Sequence, residues 1–212
     1  MHPSLLLLDK PVGFSSFQIV RVFKKHYEKV GHAGTLDPFA SGLLIILLGR
    51  ATKQFENVQK MEKEYVGEII LGIKTDTYDI TGIRTEQHDI VKENFNASTL
   101  ICAAEKFVGE IEQKPPRYSA LKHQGKKLYQ MSRRNMKIEI KPRRVFIKSL
   151  RITDIDLPIL RFESVVGRGV YIRSLAHDLG NAVGCGATLL SLRRTRIGEY
   201  ELTQATRLGS FL

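Results

Sequence analysis

GHAGTLDPFASG, residues 31–42, sets three glycines, a histidine and an Asp-Pro step directly ahead of the apolar run LLIILL at 43–48. A loop this rich in glycine does not continue as helix, and six apolar residues behind it read as a strand buried on both faces. Asp37 therefore stands at the mouth of a central strand. Two readings of that placement remain open. Aspartate before proline is ordinary turn chemistry that caps the next element. Equally, an acid on a loop ahead of a central strand is held still yet exposed, as a catalytic carboxylate must be.

Outward from the loop, LLLLD at 5–9 reads as a second buried strand. Ser15 or Ser16 then caps a helix whose apolar residues Phe17, Val20, Phe23 and Tyr27 recur at helical spacing. Lys63 to Ile73 alternates as a half-buried strand, through Tyr65, Gly67, Ile69, Leu71 and Ile73. TDTYDITG at 75–82 is a turn-rich connection. Asn96 or Ser98 caps a second helix through Leu100, Ala103, Ala104 and Phe107. Strands resume at Arg144–Thr153 and Leu160–Val166; GRGVYIRSLAHDLGNAV turns into a helix, and GATLLSLRRTRIGEYEL is strand material. Strands and helices mix without βαβ regularity, so the class is α+β around a mixed sheet, with no repeat or linker dividing the chain.

The 212 residues carry 42% hydrophobic side chains with 17 Gly and 7 Pro, the composition of an ordered globular protein. Cys102 and Cys185 lie far apart and form no Cys-x-x-Cys, which suits a reducing cytoplasm and argues against a disulfide framework or a zinc site. The N-terminal stretch lacks a basic region ahead of its four leucines, and nothing approaches a bilayer-spanning run, so a soluble cytoplasmic protein is expected.

The net charge of +11 points to a polyanion, and its distribution sharpens the point. Residues 117–144 hold ten Lys or Arg against one acid, Glu139, hence +9 of the total. A charge run is usually a solvated face, but this one interleaves Tyr118, His123, Tyr129 and Met131, groups able to stack on bases. The proline pair just ahead of it, Pro115 and Pro116, forbids a helix start before Tyr118, and Gly125 and Pro142 interrupt any long helix, so the segment reads as an excursion from the sheet. Other chemistries fit poorly. There is no G-x-S-x-G elbow, Walker loop or H-E-x-x-H, VGRGVY and GCGATL lack the third glycine of a dinucleotide loop, and His32 with Asp37 lacks further metal ligands nearby.

GHAGTLDPFASGLL resembles the central motif of the bacterial tRNA pseudouridine synthase B (TruB) family, and the likeness extends along the chain. DKPVGFSS at 9–16, KEYVGEIILGIKTDTYDITG at 63–82, KPPRYSALKHQGKKLY at 114–129, GVYIRSLAHDLG at 169–180 and LRRTRIG at 192–198 match family blocks in the family's order. The resemblance implies a pseudouridine-synthase core, with a central mixed, mostly antiparallel sheet flanked by helices. It implies isomerisation of the T-loop uridine at position 55 of tRNA to pseudouridine, by base flipping and an aspartate-dependent glycosidic rearrangement without metal or cofactor.

Asp37 matches the catalytic aspartate, and Arg173 the arginine that pairs with it. Tyr65 matches the tyrosine stacking on the flipped uracil; Tyr171 and Leu192 match residues lining the base pocket; His32 matches the histidine reaching into the RNA. Lys10 and Pro11 match a structural motif under the site. The basic excursion, about 118–141, matches a mobile RNA-clamping thumb, with Lys122, Lys126, Lys127, Arg133 and Arg134 as its RNA contacts. Bacterial relatives usually continue into a C-terminal PUA domain; the expectation here is one catalytic domain over 1–212 without it, acting as a monomer with no obligatory protein partner. Two rival readings are a non-catalytic RNA-binding or tRNA-folding protein on the same scaffold, and a basic structural protein of a ribonucleoprotein particle. An intact Asp37, Tyr65 and Arg173 favours the enzyme.

Overall fold

A computed structural model describes residues 4–91, 95–119, 121–123, 126–132 and 138–211. In chain order its elements are β1 (Ser4–Lys10), α1 (Ser16–Lys24), β2 (Val30–Ala33), β3 (Ser41–Leu48), α2 (Phe55–Lys60), β4 (Lys63–Leu71), β5 (Ile73–Thr75), β6 (Arg84–Gln87), α3 (Ala97–Glu105) and β7 (Gly109–Gln113). There follow β8 (Lys122–His123), β9 (Lys126–Lys127), α4 (Leu128–Ser132), β10 (Arg143–Asp156), β11 (Ile159–Val166), α5 (Ile172–Ala182), β12 (Ala187–Ile197), β13 (Tyr200–Glu201) and β14 (Thr206–Arg207). The residues gather into two compact units, one of Met1–Val66, Ser164–Arg168 and Ser191–Leu212, the other of Gly67–Glu163 and Gly169–Leu190.

The first unit is built on β3, whose pleat sends alternate residues to two cores. Leu44, Ile46 and Leu48 pack with Leu8 and with Ile19, Val20 and Phe23 of α1. Leu43, Ile45 and Leu47 pack with Ala51, Val58 of α2 and Ile197. The strand order β14-β1-β3-β12 mixes directions: β1 runs antiparallel to β3, while β14 is parallel to β1 and β12 parallel to β3. Along one edge β3 pairs first with β12, at Ser41 and Gly42, and then with β2, from Ile45 to Leu48. A capping box starts α1: Gln18 N donates to Ser15 Oγ at 3.2 Å, and Ser15 N donates to Gln18 Oε1 at 2.8 Å. The helix closes at Lys24, so Tyr27, expected within it, lies beyond in a turn where its N donates to Phe23 O.

In the second unit β11, β10 and β7 run in that order, with β10 antiparallel to β7. Here α3, capped by Asn96 through Thr99 N at 2.7 Å, buries Leu100, Ala103 and Ala104. It ends before Phe107, another residue expected inside. The strand expected from 63 to 73 is also shorter than its alternation suggests. Gly72, at φ 81°, breaks it; His88 N donates to Gly72 O at 2.8 Å, and Ile73–Thr75 pairs with β6 in a separate ribbon. A side chain there would meet His88 O at 2.5 Å, so only glycine permits the break.

The basic segment is an excursion of a short ribbon, β8 against β9, and a single helical turn, α4. Its Met131 is buried with Leu128, which removes Met131 from the groups available to stack on bases. Among the described residues, no helix is long and apolar enough to cross a membrane.

Candidate active site

Asp37 is half-buried on a loop tied down on both sides of it. Leu36 N donates to Ser16 Oγ at 2.9 Å, and that hydroxyl donates to Leu36 O at 3.0 Å. On the other side Gly13 N donates to Pro38 O at 2.8 Å, and Ala40 N closes a turn on Asp37 O at 3.1 Å. The DKPVGFSS stretch thus serves as a clamp that fixes the carboxylate's backbone.

Beneath the loop lies a row across the sheet, Lys10 opposite Gly42 and Gly42 opposite Arg194. Both long side chains are fully buried, and Gly42, at φ 104°, leaves them room. Arg194 donates from Nε to Leu43 O at 2.7 Å and from Nη2 to Gly34 O at 3.1 Å. Its Nη1 lies 3.4 Å from Tyr65 Oη and 3.5 Å from Thr35 O, and its guanidinium carbon 6.0 Å from the Tyr65 ring centre. Lys10 Nζ donates to Pro11 O at 2.8 Å and Phe14 O at 2.7 Å. Lys63, also buried, donates to Gln59 O and Met61 O, each at 2.6 Å.

Burial pushes the Lys10 ammonium down to about 8; the Asp37 carboxylate opposes that shift and Arg194 adds to it. Burial, Arg194 and Arg168 likewise bring Lys63 down to about 8. Lys10 is thus the cation coupled to Asp37, Arg194 holds the loop through Gly34 O, and all three cations are satisfied mostly by carbonyl oxygens.

In the second unit Arg173 occupies the first turn of α5 and is 4% exposed. Asp79, equally buried, faces it at 3.4 Å. Its Nη1 also donates to Thr77 O and its Nη2 to Tyr118 O, both at 3.0 Å. Asp79 is fixed by Thr77 Oγ1, Thr81 N and Thr81 Oγ1 on its other oxygen. Tyr78, at φ 64°, stacks on His177 with ring centres 3.9 Å apart. Half-buried Tyr171 precedes the helix, its N donating to Gln113 Oε1 at 2.8 Å while Gln113 Nε2 donates back to Tyr171 O at 3.1 Å.

The expected site residues thus fall into two groups. Asp37, His32 on β2, buried Tyr65 and buried Leu192 belong to the first unit, Arg173 and Tyr171 to the second. Lys122, Lys126 and Lys127 form the backbone of the β8–β9 ribbon, and Arg133 and Arg134 lie outside the described residues. Among the described residues, no three His, Cys, Asp or Glu gather as metal ligands would. Sequence reasoning missed three buried charges, Arg194, Lys63 and Asp79. The signal for Arg194 was present: adjacent strand residues point to opposite faces. Of Arg193 and Arg194 one had to turn inward; Arg193 instead donates to Asp9 Oδ2 at 2.9 Å.

Residues 21–172 match the family model of the TruB family pseudouridylate synthase N-terminal domain, and 173–212 that of the tRNA pseudouridylate synthase B C-terminal domain. The chain belongs to the TruB family. It is 41% identical to the tRNA pseudouridine synthase B of Chloroherpeton thalassium, over 98% of this chain and 88% of the relative. The TruB relative of Flavobacterium johnsoniae is also 41% identical, over 100% of this chain and 95% of its own. Among solved structures, a Cbf5-Nop10-Gar1 complex superposes with a TM-score of 0.71 at 30% identity, covering 97% of this chain and 52% of that one. An H/ACA RNP bound to a substrate RNA containing 2'-deoxyuridine gives 0.70 at 28%, covering 97% and 51%. The chain therefore spans about half the length of these two structural relatives. The TruB assignment agrees with the α+β core and with the motif order read from the sequence.

Proposed function

We propose that this chain isomerises uridine 55 in the T-loop of tRNA to pseudouridine, with Asp37 as the catalytic group. The observation that carries the reading is the Asp37 loop: a backbone pinned on both sides of Asp37 by Ser16 and Gly13, with Lys10 coupled to the carboxylate and Arg194, itself beside Tyr65, bonded to Gly34 O. Relatives named tRNA pseudouridine synthase B support tRNA as the substrate.

The reaction breaks the N1–C1′ bond, turns the uracil and forms C5–C1′; the proton lost from C5 is balanced by one gained at N1, so no oxidant or cofactor is consumed. Asp37 acts covalently at sugar or base, or takes a proton from the ribose, and both routes need an ionised carboxylate. Because the acceptor is the base itself, water must be excluded. Extraction of the uridine costs a few kcal/mol, offset by stacking in the pocket.

Tyr65 is read as the stacking residue, Tyr171 and Leu192 as pocket walls, His32 as the group entering the RNA, and Arg173 as the guanidinium that orients Asp37. Lys122, Lys126, Lys127, Arg133 and Arg134 are the proposed phosphate contacts of a clamp over about 118–141. The chain is read as one catalytic domain, active as a monomer in the cytoplasm.

The test is to treat a tRNA transcript with the protein and map pseudouridine by carbodiimide chemistry. One modified T-loop position is expected, with Asp37→Asn inactive while binding tRNA within about tenfold of wild type. An unmodified transcript, or an Asp37→Asn variant turning over normally, would refute the assignment.

A further inference from the structure

Helix α1 buries Ile19, Val20 and Phe23 but leaves Phe17 53% exposed. Phe17, Arg21 and Lys24 are spaced four and three residues apart, so they share one face of the helix, and all three are exposed. The Arg21 guanidinium carbon lies 4.9 Å from the Phe17 ring centre and the Lys24 ammonium 5.9 Å. Just ahead, Val12 and Phe14 are also exposed, at 61% and 39%. Nothing in the helix core requires an aromatic ring there, and an exposed cation–π contact stabilises by only about 0.5–1 kcal/mol.

We propose that this face of α1 is an RNA-docking ridge on which one nucleobase stacks against Phe17 while Arg21 and Lys24 hold the adjoining phosphates. Charge complementarity selects the occupant. Residues 17–29 carry Arg21, Lys24, Lys25 and Lys29 against Glu28 alone, on a chain of net charge +11. Lysine is depleted where proteins meet proteins, whereas aromatic rings flanked by basic groups are how single-stranded nucleic acid is held. Position supports it as well. The hydrogen bonds of Ser16 to Leu36 and of Gly13 to Pro38 join the start of this helix to the loop bearing Asp37, so a strand presented to that loop passes beside the ridge.

The inference rests on the RNA-modifying function proposed above and is separable from it by experiment. Steady-state pseudouridine formation on a T stem-loop RNA is compared for wild type, Phe17→Ala, Phe17→Leu and Phe17→Trp, each checked for an unchanged melting temperature. Alanine and leucine are expected to raise KM about tenfold with kcat within about twofold, and tryptophan to restore it, because stacking needs a π face and not merely an apolar one. Arg21→Gln/Lys24→Gln should reduce the slope of log KM against log salt by about 1.4, the share of two phosphate contacts on a single strand. Wild-type KM in Phe17→Ala overturns the ridge and leaves the function standing; a wild type that forms no pseudouridine overturns the function. Loss in Phe17→Ala of a wild-type self-association, with RNA kinetics unchanged, would assign the face to protein contact and also overturn the ridge.

Discussion

Arg194→Lys keeps the charge under the Asp37 loop and removes the fork that holds the loop. Two of the arginine's bonds are short, 2.7 Å to Leu43 O and 3.1 Å to Gly34 O; those at 3.4 and 3.5 Å are too long to count for much. A charged donor on a carbonyl contributes about 1.5–3 kcal/mol, and an ammonium cannot reach both directions at once. One bond is lost and one buried carbonyl is left unsatisfied, so urea unfolding should show a loss of about 2–4 kcal/mol. Gly34 and Thr35 lead directly to Asp37, so their release should also lower kcat by about a hundredfold.

Arg194→Met adds a pH signature. Lys10 and Lys63 are held at about 8 against an ordinary 10.5, so between those values the unfolded chain binds more protons and stability rises with pH. Because Arg194 helps depress both lysines, its removal raises their folded values, narrows the window and flattens that rise. An Arg194→Lys protein within about 0.5 kcal/mol of wild type and fully active, or an Arg194→Met protein with an unchanged pH slope, would refute this account of the site.

Gly42→Ala should destabilise by about 3 kcal/mol or more, since its Cβ would stand 2.3 Å from Arg194 O at φ 104°; a chemical melt within about 0.5 kcal/mol of wild type would contradict the packing. Arg173→Lys should cut kcat at least a hundredfold while the protein stays folded, because a point charge cannot serve Asp79, Thr77 O and Tyr118 O together; near-normal turnover would remove Arg173 from the mechanism. Burial raises Asp178 to about 6 from 3.8, so the folded state binds more protons in that window and stability is lost as pH rises through it. Asp178→Asn should therefore gain about 1–3 kcal/mol at pH 7 and almost nothing below pH 4, and a variant less stable at neutral pH would reverse the sign of the argument.

The parts of the fold legible in the sequence are those set by one-dimensional signals. The run 43–48 declared itself as a doubly buried strand because every residue is apolar, and both cores flank it as that pattern requires. Ser15 or Ser16 and Asn96 or Ser98 declared helix starts, of which the chain uses Ser15 and Asn96 through local hydrogen bonds that need nothing distant. Strand ends were less legible, because Gly72 breaks β4 through a contact with His88, sixteen residues later, which no local window contains. The charged interior failed for a related reason. TDTYDITG reads as turn chemistry, and Asp79 does accept the turn's own Thr77 and Thr81 donors; its second oxygen faces an arginine ninety-four positions away.

These interior charges also bear on why the site is built as it is. Lys10, Lys63 and Arg194 are each at most 7% exposed, and burying a cation opposes folding unless partners replace its water. Lys10 bonds Pro11 O and Phe14 O beside the Asp37 loop and Arg194 bonds Gly34 O ahead of Asp37, so these bonds also fix loop backbone, whereas Lys63 bonds Gln59 O and Met61 O at the end of α2. A purely structural core would be served as well by apolar residues of similar volume. A carbonyl-satisfied cation keeps its charge available to a nearby acid, and for Lys10 that acid is Asp37, whose carboxylate opposes the downward shift that burial imposes on the ammonium. The Lys10 charge that costs stability below pH 8 thus also fixes, through Pro11 O and Phe14 O, the segment that clamps the Asp37 loop.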